Sequence, residues 1–477
     1  MYSLILLLIM VSLTACSNGS SKYQRPNSIT CSDQQIENQF IAHWNDRPPS
    51  LIHEEDVEDF IARNDAQLEF VEPNYKIKIN PRPKGTAVNF TMSSADIVDR
   101  IGAALAWDQG YIGQDILVAV VDSGVDIENP YLSRNIYVNS REIAGNGIDD
   151  DGNGFIDDVN GWNFANNSPA VTDEIGHGTS VAGIISGRGV SGQTLAIAPR
   201  ARILPVDIIS GYYGTEYDAK RGVDYAVQMN AKIVNNSWSI TCSKYLAEAF
   251  GNYQDRNVIF VNSAGNVPQD VYEQRLMLSS LMHPNFLNVG STSLFGKLSS
   301  FSGYGKSVNI WAPGEQIPVL TRSSNFDSTA EASGTSISAA VVSGAVAIIW
   351  SASPRSSASS IVAKVVRSAR KIDGRNNVAI DRALGIERPL PPPPPEVDPT
   401  LPPTEPIPPV LPTPGINPLP PPVEEEASPA PPIASPPVPI ASTPPRSPEL
   451  PEMNPVPSPV MPGPATDPGL EDPNYLP

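Results

Sequence analysis

Between residues 116 and 350 the chain alternates short apolar segments with helical ones, and this alternation limits the fold more than any other feature. The strand candidates are 116–122, 202–208, 232–238, 258–263, 286–291 and 308–312. Helices are expected to begin near His177, Ala219, Lys244 and Thr335. Such alternation is typical of a parallel sheet covered by helices on both faces, with active residues at the carboxyl ends of strands. We therefore expect a three-layer α/β fold in which the apolar segment 336–350 is a buried helix.

Three short motifs place a polar residue among glycines and small residues: VAVVDSGVD at 118–126, GHGTSVAG at 176–183 and GTSISAA at 334–340. A serine hydroxyl needs an adjacent imidazole to take its proton, and a buried carboxylate to orient that imidazole. Ser336, His177 and Asp122 are the candidates for these three roles. Each motif alone is also compatible with a strand end, a turn or a capped helix. Their occurrence together favours a catalytic triad.

The chain order Asp, His, Ser is that of the subtilisin arrangement, and residues 100–385 resemble the subtilase family of serine proteases. This resemblance implies a three-layer subtilisin-like fold with a central parallel sheet. It also implies an endopeptidase that hydrolyses peptide bonds of polypeptide substrates through an acyl-enzyme intermediate. The competing hypothesis is a non-catalytic surface lipoprotein that binds peptides or partners through the cleft or a proline-rich arm.

Two further segments carry roles that the resemblance implies. VIFVNSAGN at 258–266 resembles the stretch whose last residue, here Asn266, donates its side-chain amide to the oxyanion, with the backbone N–H of Ser336 as second donor. KIVNNSWS at 232–239 resembles the strand that pairs with substrate, an arrangement suited to an edge strand. The substrate-binding residues expected from both segments are Ser237, Trp238, Ser239, Ala264 and Gly265. Family members commonly have glycine where this chain has Ser239, so a narrowed first pocket is expected.

An acidic insertion, GNGIDDDGNGFIDDVNGW at 145–162, has oxygen ligands spaced around a turn glycine in a way that suits Ca²⁺. The predicted ligands are Asp149, Asp151, Asn153, the backbone of Phe155, Asp157 and Asp158. Asn160 stands where an EF-hand has a bidentate Glu. The alternative is a solvated acidic loop, but closely spaced carboxylates repel one another without a cation. Another calcium site of the family is not expected, because Tyr131 stands in place of its Asp ligand.

The N-terminus indicates export. The apolar run 4–13 has the length of a signal-peptide core and is too short to span a bilayer. Leu13-Thr14-Ala15-Cys16 resembles a bacterial lipobox, so residues 1–15 are predicted to be a lipoprotein signal peptide and Cys16 the lipidated residue. Residues 1–3 lack Lys and Arg, and an ordinary signal peptide with a chance cysteine is the alternative. We expect a protein of the bacterial cell envelope, lipid-anchored, and in the outer membrane if the cell is Gram-negative.

Residues 16–94 are predicted to be a propeptide region with a linker, followed by a catalytic domain at 95–387. Within the propeptide region, residues 35–80 are predicted to form an inhibitor-like part, with a helix in EDVEDFIARN and a strand in LEFVEPNYKIKI. The end of that strand resembles the close of the subtilase inhibitory propeptide, which leaves its last strand in the substrate cleft. Processing is expected between about Ile79 and Ser94, with release from the anchor as one outcome. Cys31 and Cys242 are compatible with a disulfide or with two buried thiols.

Residues 388–477 form a proline-rich tail that is predicted to be disordered, with local polyproline-II structure. A plain spacer is favoured for it, and docking of its proline runs on aromatic grooves is the alternative. The net charge of −19 argues against nucleic acid and against an anionic membrane surface as partners. We expect a monomer.

Overall fold

The computed structural model describes residues 22–23, 34–79, 94–188, 196–211, 213–240, 243–275, 278–322 and 329–388. All of them belong to one compact unit, Met1–Pro392. The predicted signal peptide, Cys16, Cys31 and Cys242 lie outside the described residues, as does nearly all of the predicted tail.

The N-terminal region contributes four elements: β1 (Gln35–Trp44), β2 (Ser50–His53), α1 (Val57–Asn64) and β3 (Leu68–Ile77). The remaining strands are β4 (Leu117–Asp122), β5 (Trp162–Asn163), β6 (Arg202–Asp207), β7 (Ile209–Ser210), β8 (Tyr213–Thr215), β9 (Ile233–Asn236), β10 (Ile259–Ser263), β11 (Phe286–Thr292), β12 (Ile310–Pro313), β13 (Ile317–Leu320), β14 (Thr329–Ala332), β15 (Arg370–Ile372) and β16 (Arg375–Asn377). The remaining helices are α2 (Ser94–Ile101), α3 (Ala103–Asp108), α4 (His177–Ser186), α5 (Glu216–Gln228), α6 (Lys244–Gly251), α7 (Thr335–Ser351), α8 (Ala358–Ser368) and α9 (Ile380–Leu384).

A nine-stranded sheet organises the larger part of the molecule, in the order β15-β16-β12-β11-β10-β9-β4-β6-β5. Its strand pairs are parallel except β15 with β16. Successive side chains of a strand point to opposite faces. On β4, Val118 and Val120 accordingly pack in the core that contains α4 and α7, and Ala119 and Val121 in the core that contains α5 and α6. The predicted three-layer α/β fold is confirmed.

Helix α7 is the central buried element, as its composition predicts. Every residue from Thr335 to Trp350 is buried, so the helix has no solvent-facing side. It contacts α4 and the strands β9 to β12. The second residue of this rigid helix is Ser336, whose position is therefore fixed by the core.

The helix expected near Ala219 is present and begins slightly earlier, at Glu216, because the Thr215 hydroxyl caps it by accepting the N–H of Asp218 at 3.0 Å. One local expectation was wrong. The strand expected at 232–238 ends at Asn236, and it lies inside the sheet between β10 and β4. It is therefore not an edge strand, and the residues available for pairing with a peptide lie beyond its end.

The N-terminal region has its own small core beneath an antiparallel sheet, with Phe40, Phe60, Leu68 and Val71 among its buried residues. The sheet order is β2-β1-β3-β8-β7, so β3 pairs with a hairpin that follows β6. The predicted helix in 55–64 and strand in 68–79 are both present. No helix in the described ranges combines the length and the apolar character needed to cross a bilayer.

Candidate active site

Two of the predicted triad residues form a buried pair at the carboxyl edge of the sheet. Asp122 is the last residue of β4 and has no exposed surface, and His177 is the first residue of α4 and is 8% exposed. His177 Nδ1 lies 2.8 Å from Asp122 Oδ1. With a proton on Nδ1 donated to the carboxylate, the Nε2 atom is the one that can act as a base.

The glycines on either side of His177 are required by this geometry. Gly176 has φ = +92°, a conformation that favours glycine. A Cβ on Gly178 would lie 2.0 Å from the carbonyl oxygen of Gly124, just after β4. The absence of both side chains therefore lets the first turn of α4 pack directly against the end of β4, which brings the imidazole to the carboxylate.

Asp173 fixes the start of the same helix, a role that the motifs did not reveal. Its carboxylate accepts the N–H groups of Gly176 at 2.6 Å and Thr179 at 2.8 Å, and the Ser123 hydroxyl at 2.9 Å. Burial raises the pKa of Asp173, although these hydrogen bonds oppose the shift. The available signal was an acidic residue shortly before the GHG motif, since a carboxylate near a helix start can accept its free N–H groups.

Ser336 and Asn266 border one small space. A Cβ on Gly334 would lie 3.1 Å from Ser336 Oγ and 3.2 Å from Asn266 Nδ2. Asn266 Oδ1 accepts both the N–H and the hydroxyl of Thr335, at 2.8 and 2.9 Å, which turns the amide nitrogen towards that space. A nucleophile and a hydrogen-bond donor that face the same point are what acyl transfer requires.

The cleft beside these residues is lined by Lys78, Ser237, Trp238, Ser239, Ser263, Gly265, Asn266, Thr335 and Ser336. Four of the five predicted substrate-binding residues are thus brought together. The fifth, Ala264, is fully buried and packs with Val271 and Val308 in a separate core cluster. The Ser237 hydroxyl donates to the carbonyl oxygen of Ser336 at 3.2 Å, which ties the cleft wall to the nucleophile.

The chain's own N-terminal region already occupies this cleft. Lys78 and Ser239 exchange both backbone hydrogen bonds at 3.1 Å, in antiparallel register. On the other side, Ile77 pairs with Gly214 in β8. With Lys78 in place the remaining cavity is about 10 Å³, which leaves room for about one water molecule.

A further buried carboxylate lies beside the Asp–His pair. Asp207 ends β6 and is paired in register with Asp122. Its carboxylate accepts the Asn163 amide at 2.7 Å and the N–H of Ile209 at 3.1 Å. Burial raises the pKa of Asp207 to about 8, and the charges of neighbouring carboxylates, including Asp122, add to the shift. Sequence analysis did not identify this residue, because it lies in an ordinary strand.

The acidic insertion brings three carboxylates together. Oxygen atoms of Glu142, Asp151 and Asp158 lie within 4.8 Å of one another, and Glu142 and Asp158 are buried. Two carboxylate oxygens bound to one Ca²⁺ at about 2.4 Å are at most about 4.8 Å apart, so this oxygen-only set fits the ion. Arg141 lies 2.8 Å from Asp151 and offsets part of the charge.

The other predicted calcium ligands contact the loop backbone or neighbouring side chains. Asp149 accepts the N–H groups of Asn153 and Gly154, and Asp157 accepts those of Asn146 and Gly147. Asn153 donates its amide to Asp158 at 2.9 Å, and the ring of Phe155 packs against Tyr225. Glu142, which lies outside the 145–162 motif, was missed because only the fold brings it to Asp151 and Asp158.

An α/β fold with an Asp–His pair, a serine at a helix N-terminus and a facing amide donor defines a serine hydrolase site. Residues 113–386 match the subtilase family, and the chain belongs to that family. Its class of enzyme is the serine-type endopeptidase.

Similar proteins span the same part of the chain. The major intracellular serine protease of Bacillus subtilis is 30% identical over 297 residues, which cover 61% of this chain and 86% of that protein. Thermitase of Thermoactinomyces vulgaris is 29% identical over 280 residues, covering 58% and 88%. The crystal structure of fervidolysin from Fervidobacterium pennivorans, described as a keratinolytic enzyme related to subtilisin, matches with a TM-score of 0.61 at 20% identity. That match covers 77% of this chain and 63% of fervidolysin, and it supports the fold.

Proposed function

We propose that the protein is an exported endopeptidase in which Asp122, His177 and Ser336 form the catalytic triad and Asn266 the oxyanion site. The observation that carries this proposal is the 2.8 Å contact between His177 Nδ1 and Asp122 Oδ1 at the same sheet edge as Ser336. The relatives named serine protease support the same reaction.

Catalysis then follows from the geometry. Ser336 Oγ attacks the scissile carbonyl carbon while His177 Nε2 takes the hydroxyl proton, and Asp122 stabilises the imidazolium that results. The negative oxygen is held by Asn266 Nδ2 and the backbone N–H of Ser336. The C–N bond breaks as His177 returns the proton to the leaving amine. Water, activated by His177, then attacks the acyl-enzyme and releases the carboxylic acid product and Ser336.

Hydrolysis of an unstructured protein substrate by the purified chain tests this proposal. Wild type should hydrolyse it and Ser336→Ala should not. The matched control is Ser351→Ala, which alters a serine at the other end of α7. Equal hydrolysis by wild type and Ser336→Ala would contradict the proposal, and no hydrolysis by a processed wild type would favour the binding protein.

We also propose that the N-terminal region inhibits the enzyme. Ile77 and Ile79 are buried, whereas the Lys78 side chain between them is exposed, as expected for a peptide that places alternate side chains in pockets. Glu216 of α5 is fully buried and accepts the N–H of Tyr75 at 3.1 Å, which anchors the strand from the side. Substrate would compete with this strand for Ser239.

The register of the inhibitory strand bears on its processing. Lys78 pairs with Ser239, and the nearby Ser237 hydroxyl contacts the Ser336 carbonyl oxygen, so the described end of the strand lies close to the nucleophile; residue 80 lies outside the described residues. The sequence there is Asn80-Pro81, and a proline nitrogen carries a ring carbon that crowds the preceding residue. We expect processing in the remainder of 81–94 instead, and mass determination of the mature N-terminus checks this. A mature chain that begins at Pro81 would contradict it.

Calcium is proposed as a structural ion of the acidic insertion. Glu142, Asp151 and Asp158 would bind it, with Asp149, Asn153, Phe155 and Asp157 as the further ligands that the sequence predicts. Burial raises the pKa of Asp158, which means that its ionised form is costly unless a cation is near. When bound, the ion would balance the carboxylates and stabilise the insertion.

Export and anchoring rest on the sequence of the first 16 residues. We propose that Cys16 is lipidated in a bacterial envelope and that processing releases the catalytic domain unless Cys31 and Cys242 are disulfide-bonded. Membrane fractions separated with and without reductant test this. A catalytic band that leaves the membrane only after reduction supports the disulfide tether, and a full-length active band at the membrane contradicts processing.

A further inference from the structure

A second polar cavity lies at the opposite edge of the sheet from the active site. It has a volume of about 330 Å³ and is lined by residues just before β4, at 134–135, just after α4, and around the start of β6. The catalytic Asp122 is at the far end of β4, about 20 Å away at about 3.3 Å per strand residue. The cavity is therefore separate from the substrate cleft.

Four arginines converge on this cavity: Arg134, Arg188, Arg200 and Arg202. Among the described lining residues Asp115 is the single carboxylate, so the lining carries a net charge of about +3. In the parts of the chain that the structure describes, no ion pair involves any of the four guanidinium groups; Arg202 Nη1 donates to the carbonyl oxygen of Arg134 at 2.9 Å. Such a concentration of unpaired positive charge is unexpected in a chain of net charge −19.

The backbone beneath the arginines is fixed. Asn135 is buried, and its amide donates to the carbonyl oxygens of Ser186 at 2.6 Å and Pro199 at 3.0 Å. These bonds join the three segments that carry the arginines. The N–H of Arg188 also donates to the carbonyl oxygen of Tyr131 at 2.7 Å. The four side chains are exposed but extend from a fixed backbone, so a ligand would have to order the side chains and not the segments that carry them.

We propose that this cavity binds a phosphate-bearing ligand. Guanidinium groups form bidentate hydrogen bonds with phosphate oxygens, and several of them around one site suit a dianionic group. A volume of about 330 Å³ is at the small end of ligand pockets, which fits a phosphate monoester or a lipid headgroup rather than a large cofactor. A glycerol phosphate unit occurs both as a free phosphate monoester and within phospholipid headgroups, so it is the chemistry that the two sources share.

The test compares two charge-neutralised variants in a Ser336→Ala background, so that it does not depend on proteolysis. The cavity variant combines Arg134→Gln with Arg202→Gln. The control variant combines Arg256→Gln with Arg355→Gln, which removes two exposed arginines outside the cavity lining. Glycerol 3-phosphate binding is measured by calorimetry. Co-sedimentation is measured with phosphatidylglycerol vesicles and with phosphatidylcholine vesicles. All measurements use one low salt concentration.

The cavity variant should bind at least tenfold more weakly, and the control variant within twofold of the parent. Binding of glycerol 3-phosphate alone identifies a free phosphate ligand, and binding of phosphatidylglycerol vesicles alone identifies a lipid headgroup. Equal binding by the cavity variant and the parent, or no binding of either probe by a parent with an unchanged melting temperature, overturns the proposal.

Discussion

Two carboxylate-rich regions of this molecule balance their charge in different ways. At the carboxyl ends of β4 and β6, Asp122 and Asp207 are buried, with Asp173 nearby, and imidazole, amide, hydroxyl or N–H donors contact each of them. In the acidic insertion, Glu142, Asp151 and Asp158 also accept N–H, amide or hydroxyl donors, but their oxygen atoms lie within 4.8 Å of one another. The first region contains a titratable imidazole in contact with a carboxylate, whereas the carboxylate oxygens of the second converge closely enough to bind one cation. The first region is thus suited to catalysis and the second to ion binding.

The largest effect is expected from removing the charge of Asp122, the carboxylate of the proposed triad. Asp122→Asn keeps the shape but no longer stabilises the imidazolium or fixes the tautomer of His177. We expect kcat to fall by about 10⁴. Steady-state kinetics on a peptide substrate measure the change, and an unaltered melting temperature shows that the fold is retained. A loss in kcat of less than tenfold would mean that Asp122 does not orient or stabilise His177 as the general base.

The second-largest effect on kcat is expected at Asn266, the proposed oxyanion donor. Asn266→Ala should lower kcat by about 10²–10³ with little change in KM, because the amide acts on the developing charge. Asn266→Asp is the matched variant, since it keeps an oxygen for Thr335 but loses the N–H donor. Both variants should be impaired. If Asn266→Asp retained full activity, the contact with Thr335 would be the important one and the donor would lie elsewhere.

Removal of calcium tests the second region. A chelator should lower the melting temperature by about 5 °C, because an ion that binds only the folded state stabilises it by mass action. Asp158→Asn should remove the difference between calcium and chelator. Asp218→Asn, another largely buried carboxylate outside the group, should keep it. Identical melting curves with and without calcium would leave the solvated acidic loop as the explanation.

The last prediction concerns stability and not catalysis, at Asp207. Its pKa of about 8 lies above the usual value of an aspartate, so the folded state holds a proton that the unfolded state loses. The contribution of Asp207 to stability is present below about pH 4 and is lost as the pH rises towards 8, with a slope of at most about 1.4 kcal/mol per pH unit. Asp207→Asn cannot ionise and should show a flatter dependence of unfolding free energy on pH. Parallel curves for variant and wild type would contradict this.

Sequence analysis identified the candidate site residues that lie in glycine-rich motifs. It missed the carboxylates that become part of a site only when the chain folds. Asp122, His177 and Ser336 stand at strand and helix ends among glycines whose absent side chains permit close packing. Glu142 and Asp207 occupy ordinary segments and acquire their environment from distant neighbours. The surroundings of Ser239 were also not predicted from sequence, because the strand before it, β9, lies inside the sheet and not at its edge.

Covalent labelling of the nucleophile tests the central claim most directly. A fluorophosphonate should add to wild type, and mass spectrometry of the digested protein should locate the adduct on Ser336. Ser336→Ala should stay unlabelled, and Ser351→Ala should label as wild type does. Because the N-terminal strand lies in the cleft, the processed and full-length forms are both assayed. Labelling of Ser336→Ala, or no labelling of a folded and processed wild type, would contradict the account.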